Sequence, residues 1–361
     1  MGNFRASSSH VALPLERENQ QLRSAVPEKQ GAARRDLTKR LLLKGAKALH
    51  ENPIVYPTLV ATFRILQRIG ISLTPNHFYW PIPDVCELEK RQWDSYSTPP
   101  GCDFQLEKQI ALAHELSSSY GAECSFSATP SETSYHYNNG YFEAVDAEVA
   151  YCMVRHYKPA RIAEIGTGYS TRVLAAALQK NSERDGLDGQ LISVDPNPER
   201  FFQNGWKNVV VQIPKAVQEL ELEFFDSLEN GDALFIDSSH IVGTGSDVAR
   251  EYLQILPRLK PGVLVHIHDI FLPADYPREA VLNNLWFWSE QYLLQAFLSF
   301  NSEFEVLWSS SAMQIECSQV LEKCFPRWRH SFRDMPKSKR RFVPTMDQER
   351  VWPSSFWMRR R

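Results

Sequence analysis

The chain has 361 residues, of which 43% are apolar and 23% are charged, a composition typical of a globular protein rather than a disordered one. This length accommodates one large domain with a smaller one, or two modest domains. The 40 basic and 43 acidic residues give a formal net charge of −3, so the whole chain lacks the positive charge typical of nucleic-acid-binding proteins.

The sequence carries only weak motifs for secretion, lipid attachment, membrane insertion or cysteine-based redox chemistry. The N-terminal region lacks the continuous apolar segment of a secretory signal, and Ala6 stands where N-myristoylation requires Ser or Thr. The longest apolar run, within 53–63, is too short to span a bilayer. The six cysteines form no CxxC pair, so we expect free and mostly buried thiols in a reducing compartment. These features predict a soluble, cytoplasmic protein.

The N-terminal part of the chain divides by composition. Residues 1–34 are polar and are expected to form a disordered tail. Residues 35–72 combine basic side chains with apolar residues spaced near 3.6, which predicts two helices broken at Pro53 and Pro57. This basic face either contacts a membrane surface or is a solvated helical face over a small core.

The next segment is rich in aromatic residues and prolines. Residues 73–104 include the run from His77 to Asp84 and show little periodicity, so we expect an ordered loop or lid. Residues 105–120 and 141–157 have helical spacing. Residues 35–129 are therefore predicted to form a helical and lid-like N-terminal region.

From residue 160 onward, short apolar runs alternate with helical segments. The predicted strands cover 161–165, 191–194, 208–211, 232–236, 262–267 and 304–308. The predicted helices cover 171–180, 246–256 and, as one long aromatic helix, 278–300. Short apolar runs that alternate with helices favour a parallel sheet covered on both faces, and hence an α/β fold.

A glycine-rich loop follows the first predicted strand. Gly166 and Gly168 allow the backbone to turn tightly and to approach a ligand next to a helix N-terminus. A dinucleotide fingerprint requires a third glycine where Thr171 stands, whereas an acidic residue two positions before the first glycine is typical of the ExGxG loop of methyltransferases. The candidate cofactor-binding residues of this loop are Glu164, Gly166, Gly168, Tyr169 and Ser170.

Acidic and imidazole side chains follow three other predicted strands. Asp195 ends the second strand, where one carboxylate can accept hydrogen bonds from both hydroxyls of a ribose, or can simply cap a turn. Asp237 and His240 follow the fourth strand, and His268 and Asp269 end the fifth. These four side chains either bind one divalent cation or form a hydrogen-bonded cluster around substrate. Strand alternation places His268 and Asp269 on opposite faces unless the strand has already turned.

The chain resembles the bacterial class I S-adenosylmethionine-dependent methyltransferases, close to the macrolide-sugar O-methyltransferases and the cephalosporin-hydroxylase-like proteins. The resemblance covers roughly 135–361, and the segments that carry it are 164–170, Asp195, 235–240, 260–262 and 268–273. It implies a Rossmann-like sheet of seven strands, mostly parallel, in a methyltransferase domain over 130–361. It also implies an antiparallel last strand at 354–359, preceded by an insertion at 318–350.

The resemblance also implies residue roles. Asp237, His268 and Asp269 take the positions of metal ligands, with Mg²⁺ or Mn²⁺ as candidate cations, and His240 takes the position of the catalytic base. Such an enzyme transfers a methyl group from S-adenosylmethionine to a hydroxyl of a small-molecule or glycosidic acceptor. Two alternatives stay open: a metal-independent methyltransferase that uses His240 alone, and a non-catalytic scaffold with the same fold. The aromatic residues Trp286 and Trp288 either stack on a sugar face or pack a lid.

Overall fold

The computed structural model describes residues 55–72, 74, 81–93, 96–198, 210–341, 343–345 and 347–361. By its internal contacts the chain forms two compact units, residues 1–84 and residues 85–361. The tail predicted over 1–34, the predicted break at Pro53 and the first half of the run from His77 to Asp84, residues 77–80, lie outside the described residues.

The first unit contains one described helix, α1 (Val55–Arg68). Pro57 lies in its first turn, where a backbone N–H has no partner inside the helix, so this proline does not break the helix as we predicted. Ile65 and Ile69 are exposed by 61% and 68%, one helical turn apart. This exposed apolar pair, Ile65 within α1 and Ile69 just beyond its end, agrees with the amphipathic spacing of the sequence.

The second unit is built on a seven-stranded sheet. Its strands are β1 (Arg161–Ile165), β2 (Gln190–Val194), β3 (Val210–Ile213), β4 (Ala233–Ile236), β5 (Leu264–Ile267), β6 (Phe304–Ser309) and β7 (Phe356–Arg360). Their order is β3-β2-β1-β4-β5-β7-β6; β1 to β5 are parallel, and β7 is antiparallel to both β5 and β6. The predicted fold class, including the antiparallel last strand, is confirmed.

Helices cover both faces of this sheet. They are α2 (Val85–Leu88), α3 (Leu106–Tyr120), α4 (Asp146–Tyr157), α5 (Tyr169–Asp185), α6 (Leu222–Asp226), α7 (Asp247–Arg250), α8 (Arg278–Leu282), α9 (Glu290–Leu298), α10 (Ser310–Cys324) and α11 (Lys337–Arg340). One core layer joins α3, α4, α5 and α10, and the other joins α6, α7 and α9. The fully buried Leu116 places α3, which we had predicted within the N-terminal region, in the core of this unit.

The long aromatic helix predicted over 278–300 is wrong, because the structure forms the separate helices α8 and α9 with a non-helical segment, 283–289, between them. Leu285 in that segment is left-handed, with φ 58°. The backbone N–H groups of Ser289 and Glu290 donate to the carbonyl of His240, at 2.9 and 3.2 Å. These bonds come from a distant loop, so local periodicity gives no sign of the break.

The helix predicted over 246–256 is also modified. It begins as α7, whose first turn Ser246 caps by accepting a hydrogen bond from the N–H of Ala249. It then widens into a π-helical turn over Glu251–Ile255, a local irregularity that is frequent next to functional sites.

The basic segment predicted as an insertion, 318–350, connects β6 to β7. It comprises the second half of α10, a 3-10 turn at Pro326–His330 and the short helix α11. Trp328 anchors it in the core, where its indole N–H donates to the carbonyl of Val351 at 2.8 Å. The segment is therefore folded onto the domain.

All six cysteines are free, but only Cys152 and Cys324 are buried, so the expectation of mostly buried thiols is wrong. Across the described residues, every helix falls short of the length and apolar character needed to cross a membrane.

Candidate active site

The carboxyl ends of β1, β4 and β5 meet at one edge of the sheet, at the point where the strand order reverses direction. The ladder continues one residue past these strands: the N–H of Asp237 donates to the carbonyl of Ile165 at 2.9 Å, and the N–H of His268 donates to the carbonyl of Ile236 at 3.0 Å. The side chains that follow the three strands therefore emerge side by side.

Gly166 begins the loop after β1 in a left-handed conformation, with φ +92°. A Cβ atom at this position would lie 2.0 Å from the backbone oxygen of Asp237, well inside van der Waals contact. The sequence suggested that this glycine leaves room for a ligand. The structure shows a different reason: the loop crosses directly against the backbone that follows β4.

Gly168 stands just before α5 and has extended backbone angles. An added Cβ would meet only the hydroxyl of Ser170, at 3.9 Å, so this side of the loop is open. The N–H of Gly168 donates to Thr171 Oγ1 at 3.0 Å, which fixes the loop at the first turn of α5. Gly168 thus offers the cradle in which a ligand can approach the backbone.

Glu164 supports this loop from inside the domain. Its carboxylate is fully buried and accepts hydrogen bonds from the hydroxyls of Ser170 at 2.9 Å and Ser193 at 3.0 Å. Burial raises the pKa of Glu164 to about 8, although these hydrogen bonds oppose the rise. Glu164 and Ser170 therefore fasten the loop to β2, rather than presenting polar atoms to solvent.

Asp195 lies at the end of β2, half-buried and directed at the same loop. One carboxylate oxygen accepts the N–H of Thr167 at 2.9 Å, and the other accepts the N–H of Asn197 at 2.6 Å. Each oxygen keeps a further lone pair for a ligand. The carboxylate is thus held in place before any ligand binds.

Tyr169 forms an aromatic rim beside the loop. Its ring stacks on that of Tyr141, with centroids 6.0 Å apart and planes inclined by 16°, and meets His136 edge-on at 5.2 Å. Tyr141 is 68% exposed, so the rim faces solvent at the mouth of the site. Sequence reasoning missed Tyr141 and His136, because they lie before the predicted strand–helix repeat.

The side chains that follow β4 and β5 form an acid–imidazole cluster, which we define as Asp237, His240, His268 and Asp269. Nε2 of His240 lies 3.5 Å from Oδ1 of Asp237 and 3.4 Å from Oδ2 of Asp269. Nδ1 of His268 lies 3.5 Å from the same Oδ1 of Asp237 and 3.7 Å from Oδ1 of Asp269. Both imidazoles therefore face both carboxylates.

These separations are too long for good hydrogen bonds, which span about 2.7–3.2 Å between heavy atoms. Ligand atoms that share one cation at about 2.0–2.2 Å are instead separated by about 3.0–3.5 Å. One donor atom from each of Asp237, His240 and Asp269 lies within 4.8 Å of the other two. The spacing and the mixed oxygen and nitrogen donors fit a divalent cation such as Mn²⁺ better than Mg²⁺, which favours an all-oxygen shell.

The backbone at two of these positions is strained. His240 has φ 61° and Asp269 has φ 55°, left-handed values that cost a side-chain-bearing residue about 1–3 kcal/mol. The conformation of Asp269 also resolves the alternation problem: β5 ends at Ile267, so the backbone has turned, and Asp269 reaches the same side as His268.

Glu290, the first residue of α9, completes the surroundings of His240. Its fully buried carboxylate lies 2.8 Å from Nδ1 of His240. This contact directs Nε2, the other ring nitrogen, towards Asp237 and Asp269, in the way that a carboxylate orients a catalytic or metal-binding imidazole. Sequence reasoning missed Glu290, because a buried acid inside an aromatic helical pattern has no local signal.

Asp146, at the start of α4, was also missed. It accepts hydrogen bonds from the hydroxyl of Ser310 at 2.7 Å and from the N–H groups of Ser354 and Ser355 at 2.8 and 3.0 Å. Its Oδ2 lies 3.7 Å from Nε2 of His268. Asp146 therefore joins the start of β7 to the imidazole that follows β5.

The charged groups of the acid–imidazole cluster shift one another's pKa values. Burial lowers the pKa of His240, but Asp237, Glu290 and Asp269 outweigh it and hold this pKa well above its usual value. Burial raises the pKa of Asp237, yet the two imidazolium rings outweigh it and hold this pKa well below its usual range. The raised pKa of His240 and the lowered pKa of Asp237 both reflect the attraction between the imidazoles and the carboxylates of this cluster.

Comparison with known proteins places this edge in a recognised domain. Residues 163–270 match a family model described as a methyltransferase domain. An uncharacterized protein of Archaeoglobus fulgidus is 32% identical over 173 residues, which are 45% of this chain and 76% of that protein.

Solved structures give distant likenesses. The methyltransferase PaMTH1 of Podospora anserina, bound to SAH, is 13% identical with a TM-score of 0.37, over 71% of this chain and 88% of that one. The MycE methyltransferase of the mycinamycin biosynthetic pathway, in complex with Mg, SAH and mycinamycin VI, is 16% identical with a TM-score of 0.29, over 69% of this chain and 53% of that one. Scores this low mark remote similarity.

Proposed function

We propose that this chain, in which residues 163–270 match a methyltransferase domain, transfers the methyl group of S-adenosylmethionine to a hydroxyl of a small-molecule acceptor with the help of a divalent cation. The observation that carries the proposal is the position of the acid–imidazole cluster, which borders the open Gly168 loop at one sheet edge. In this proposal the Gly168 backbone and the carboxylate of Asp195 hold the cofactor, while Glu164 keeps the loop in shape.

When bound, S-adenosylmethionine offers a methyl group on a positively charged sulfur, and a divalent cation lowers the pKa of a hydroxyl next to it. Asp237, Asp269 and Nδ1 of His268 would hold that cation, so that Nε2 of His240 would remain available to act as the base. As the methyl group moved from the cofactor sulfur to the acceptor oxygen, Nε2 of His240 would take the hydroxyl proton. Alignment of the two reactants accounts for much of the expected rate enhancement.

Glu290 would keep His240 ready for this role. Its contact with Nδ1 leaves the Nε2 lone pair as the acceptor for the proton, as in other carboxylate–histidine pairs. A cation at Asp237 and Asp269 would offset two of the carboxylates that raise the pKa of His240, and would therefore lower that pKa and favour the neutral imidazole that a base requires.

The test is methyl transfer from labelled S-adenosylmethionine to a panel of hydroxyl compounds, before and after treatment with a chelator. Chelation should abolish turnover, and added Mg²⁺ or Mn²⁺ should restore it. Asp237→Ala and Asp269→Ala should each lower kcat by orders of magnitude while cofactor affinity stays within a few-fold. Asp188→Ala, an exposed carboxylate three residues beyond the end of α5, is the matched control.

The second candidate function is a metal-independent methyltransferase with His240 as base, which the His240–Glu290 contact favours on its own. Full turnover in the chelated enzyme together with an inactive His240→Ala variant would support this alternative. A folded protein that does not bind S-adenosylmethionine in calorimetry would contradict both enzymatic functions.

A further inference from the structure

Two half-buried indoles, Trp286 and Trp288, lie beside the proposed base, and we call them the indole pair. The ring of Trp288 is 4.8 Å from that of His240, and the ring of Trp286 stacks on Trp288 at 4.6 Å with an interplanar angle of 19°. The tryptophans of the core are at most 1% exposed: Trp308, Trp328 and Trp357. The indole pair therefore leaves part of its aromatic surface exposed at the site, because protein packing does not bury it completely.

The indole pair is fixed to the site by backbone bonds. The carbonyl of His240 accepts the N–H groups of Ser289 and Glu290, and the N–H of Val242 donates to the hydroxyl of Ser289 at 2.8 Å. Trp288 also packs edge-on against Tyr276, with centroids 5.9 Å apart. An aromatic platform held this way next to a base is suited to the face of a ring-shaped acceptor.

A second feature, the basic turn, borders the same mouth; we define it as Lys337, Lys339, Arg340 and Arg341. At one end, Nζ of Lys339 lies 5.7 Å from the ring centre of Tyr141, which stacks on Tyr169 of the cofactor loop. At the other end, the carbonyl of Arg341 accepts the side-chain N–H of Asn284 at 3.2 Å, two residues before Trp286. The basic turn thus reaches from the cofactor rim to the 283–289 segment, which carries the indole pair.

The two lysines of the basic turn differ in their ionic contacts from three arginines elsewhere in the 318–350 segment. Arg329, Arg333 and Arg350 form ion pairs with the nearby carboxylates Glu322, Glu349 and Asp347. Within the described residues, Lys337 and Lys339 have no carboxylate within 4.0 Å, and Arg340 donates instead to the carbonyls of Met335 and Arg333. Unpaired positive charge at a ligand mouth attracts anions.

We propose that the acceptor is a hydroxylated ring that carries a carboxylate or a phosphate: the indole pair holds the ring beside His240, and the basic turn pairs with the anionic group. This inference rests on the proposed function, because it names the class of compound that the site methylates. An aromatic acid and an acidic or phosphorylated sugar share this chemistry.

The test measures binding by calorimetry on the full chain saturated with S-adenosylhomocysteine, so that it does not depend on turnover. The probes are matched pairs: 3,4-dihydroxybenzoate against catechol, and glucuronate or glucose 6-phosphate against methyl glucoside. We expect the anionic member of at least one pair to bind more tightly at low salt, with the difference shrinking as salt rises. The pair that responds distinguishes an aromatic ring from a sugar.

Variants separate the two contacts. Lys337→Gln with Lys339→Gln should weaken the anionic probe roughly 3- to 10-fold and leave its neutral partner unchanged. Trp286→Leu should weaken both members of the pair roughly 2- to 10-fold. A double variant at Lys180 and Lys260, lysines outside the basic turn, controls for the change in net charge.

Equal affinity for anionic and neutral rings overturns the inference, as does the absence of binding by every ring at millimolar concentration. Weaker cofactor binding in the lysine double variant also overturns it, because the basic turn would then serve the cofactor. If an anionic ring binds as expected but is never methylated, the proposed function fails while the binding inference stands.

Discussion

The two halves of the site differ in how their polar groups are satisfied. In the glycine loop, Glu164 and Asp195 accept hydrogen bonds of 2.6–3.0 Å from the protein itself. In the acid–imidazole cluster, the separations between His240, His268 and the two aspartates are 3.4–3.7 Å, and two residues carry backbone strain. The loop is complete as a scaffold, whereas the wider spacing of the cluster supports the proposal that a cation binds between its members.

The largest effect is expected from a substitution in the glycine loop. Gly166→Ala places a Cβ against the Asp237 backbone in a left-handed conformation, so we expect it to cost at least about 3 kcal/mol of folding free energy. Thermal and urea unfolding measure this loss. Gly168→Ala is the matched variant: it should fold normally yet lose cofactor affinity, since its Cβ enters the open cradle. A Gly166→Ala protein of unchanged stability would show that the loop can yield.

The next largest effect is expected from a substitution in the acid–imidazole cluster. His240→Ala should lower kcat by about 10²–10⁴, the usual range for a general base, and the loss should shrink at higher pH, where the acceptor ionises more readily. Cofactor affinity, measured by calorimetry, should stay within a few-fold. An unchanged kcat would exclude His240 as the base.

Glu290→Gln should produce a smaller defect through the same histidine. Because the amide is a weaker partner for Nδ1, we expect kcat to fall by about 10- to 100-fold, with KM nearly unchanged. Glu279→Gln, an exposed acid on α8, is the control. An equal fall in that control, or a Glu290→Gln protein with lower thermal stability and unchanged kcat, would assign Glu290 a purely structural role.

Beside the glycine loop, Asp195→Ala should weaken S-adenosylmethionine binding by roughly 1.5–3 kcal/mol, the usual contribution of hydrogen bonds to a charged group. Isothermal calorimetry gives the difference directly. A loss well below about 0.5 kcal/mol would mean that the ribose does not contact this carboxylate.

The smallest effect is a pH-dependent change in folding stability at Glu148, which lies outside the glycine loop and the acid–imidazole cluster. Burial raises the pKa of Glu148 to about 7, although the hydroxyl of Tyr137 donates to it at 3.0 Å. An acid with a raised folded-state pKa stabilises the protein at low pH, and that contribution is lost as pH rises from about 4.5 through 7. Glu148→Gln should therefore gain about 1–3 kcal/mol at pH 8 and little at pH 4. The exposed Glu183→Gln should show no such trend in chemical unfolding.

The sequence by itself determined the parts of this protein that repeat locally. Strand β1 was predicted with its exact bounds, and β2, β4, β5 and β6 within two residues, because an apolar run between helical segments is a local signal of a buried parallel strand. The glycine loop and the ligand-type residues after β4 and β5 were also visible, because parallel strands bring their carboxyl ends to one edge.

Only the tertiary structure decided how those residues meet. The break between α8 and α9 depends on hydrogen bonds to His240, and it places both Glu290 and the indole pair. The role of Gly166 depends on the backbone of Asp237. The basic turn reaches the mouth because Lys339 packs by Tyr141 and Arg341 by Asn284. Each of these features is a contact between segments that lie far apart in the chain. Such a contact can stabilise the protein only after the sheet has brought the segments together, so no local pattern of residues predicts it.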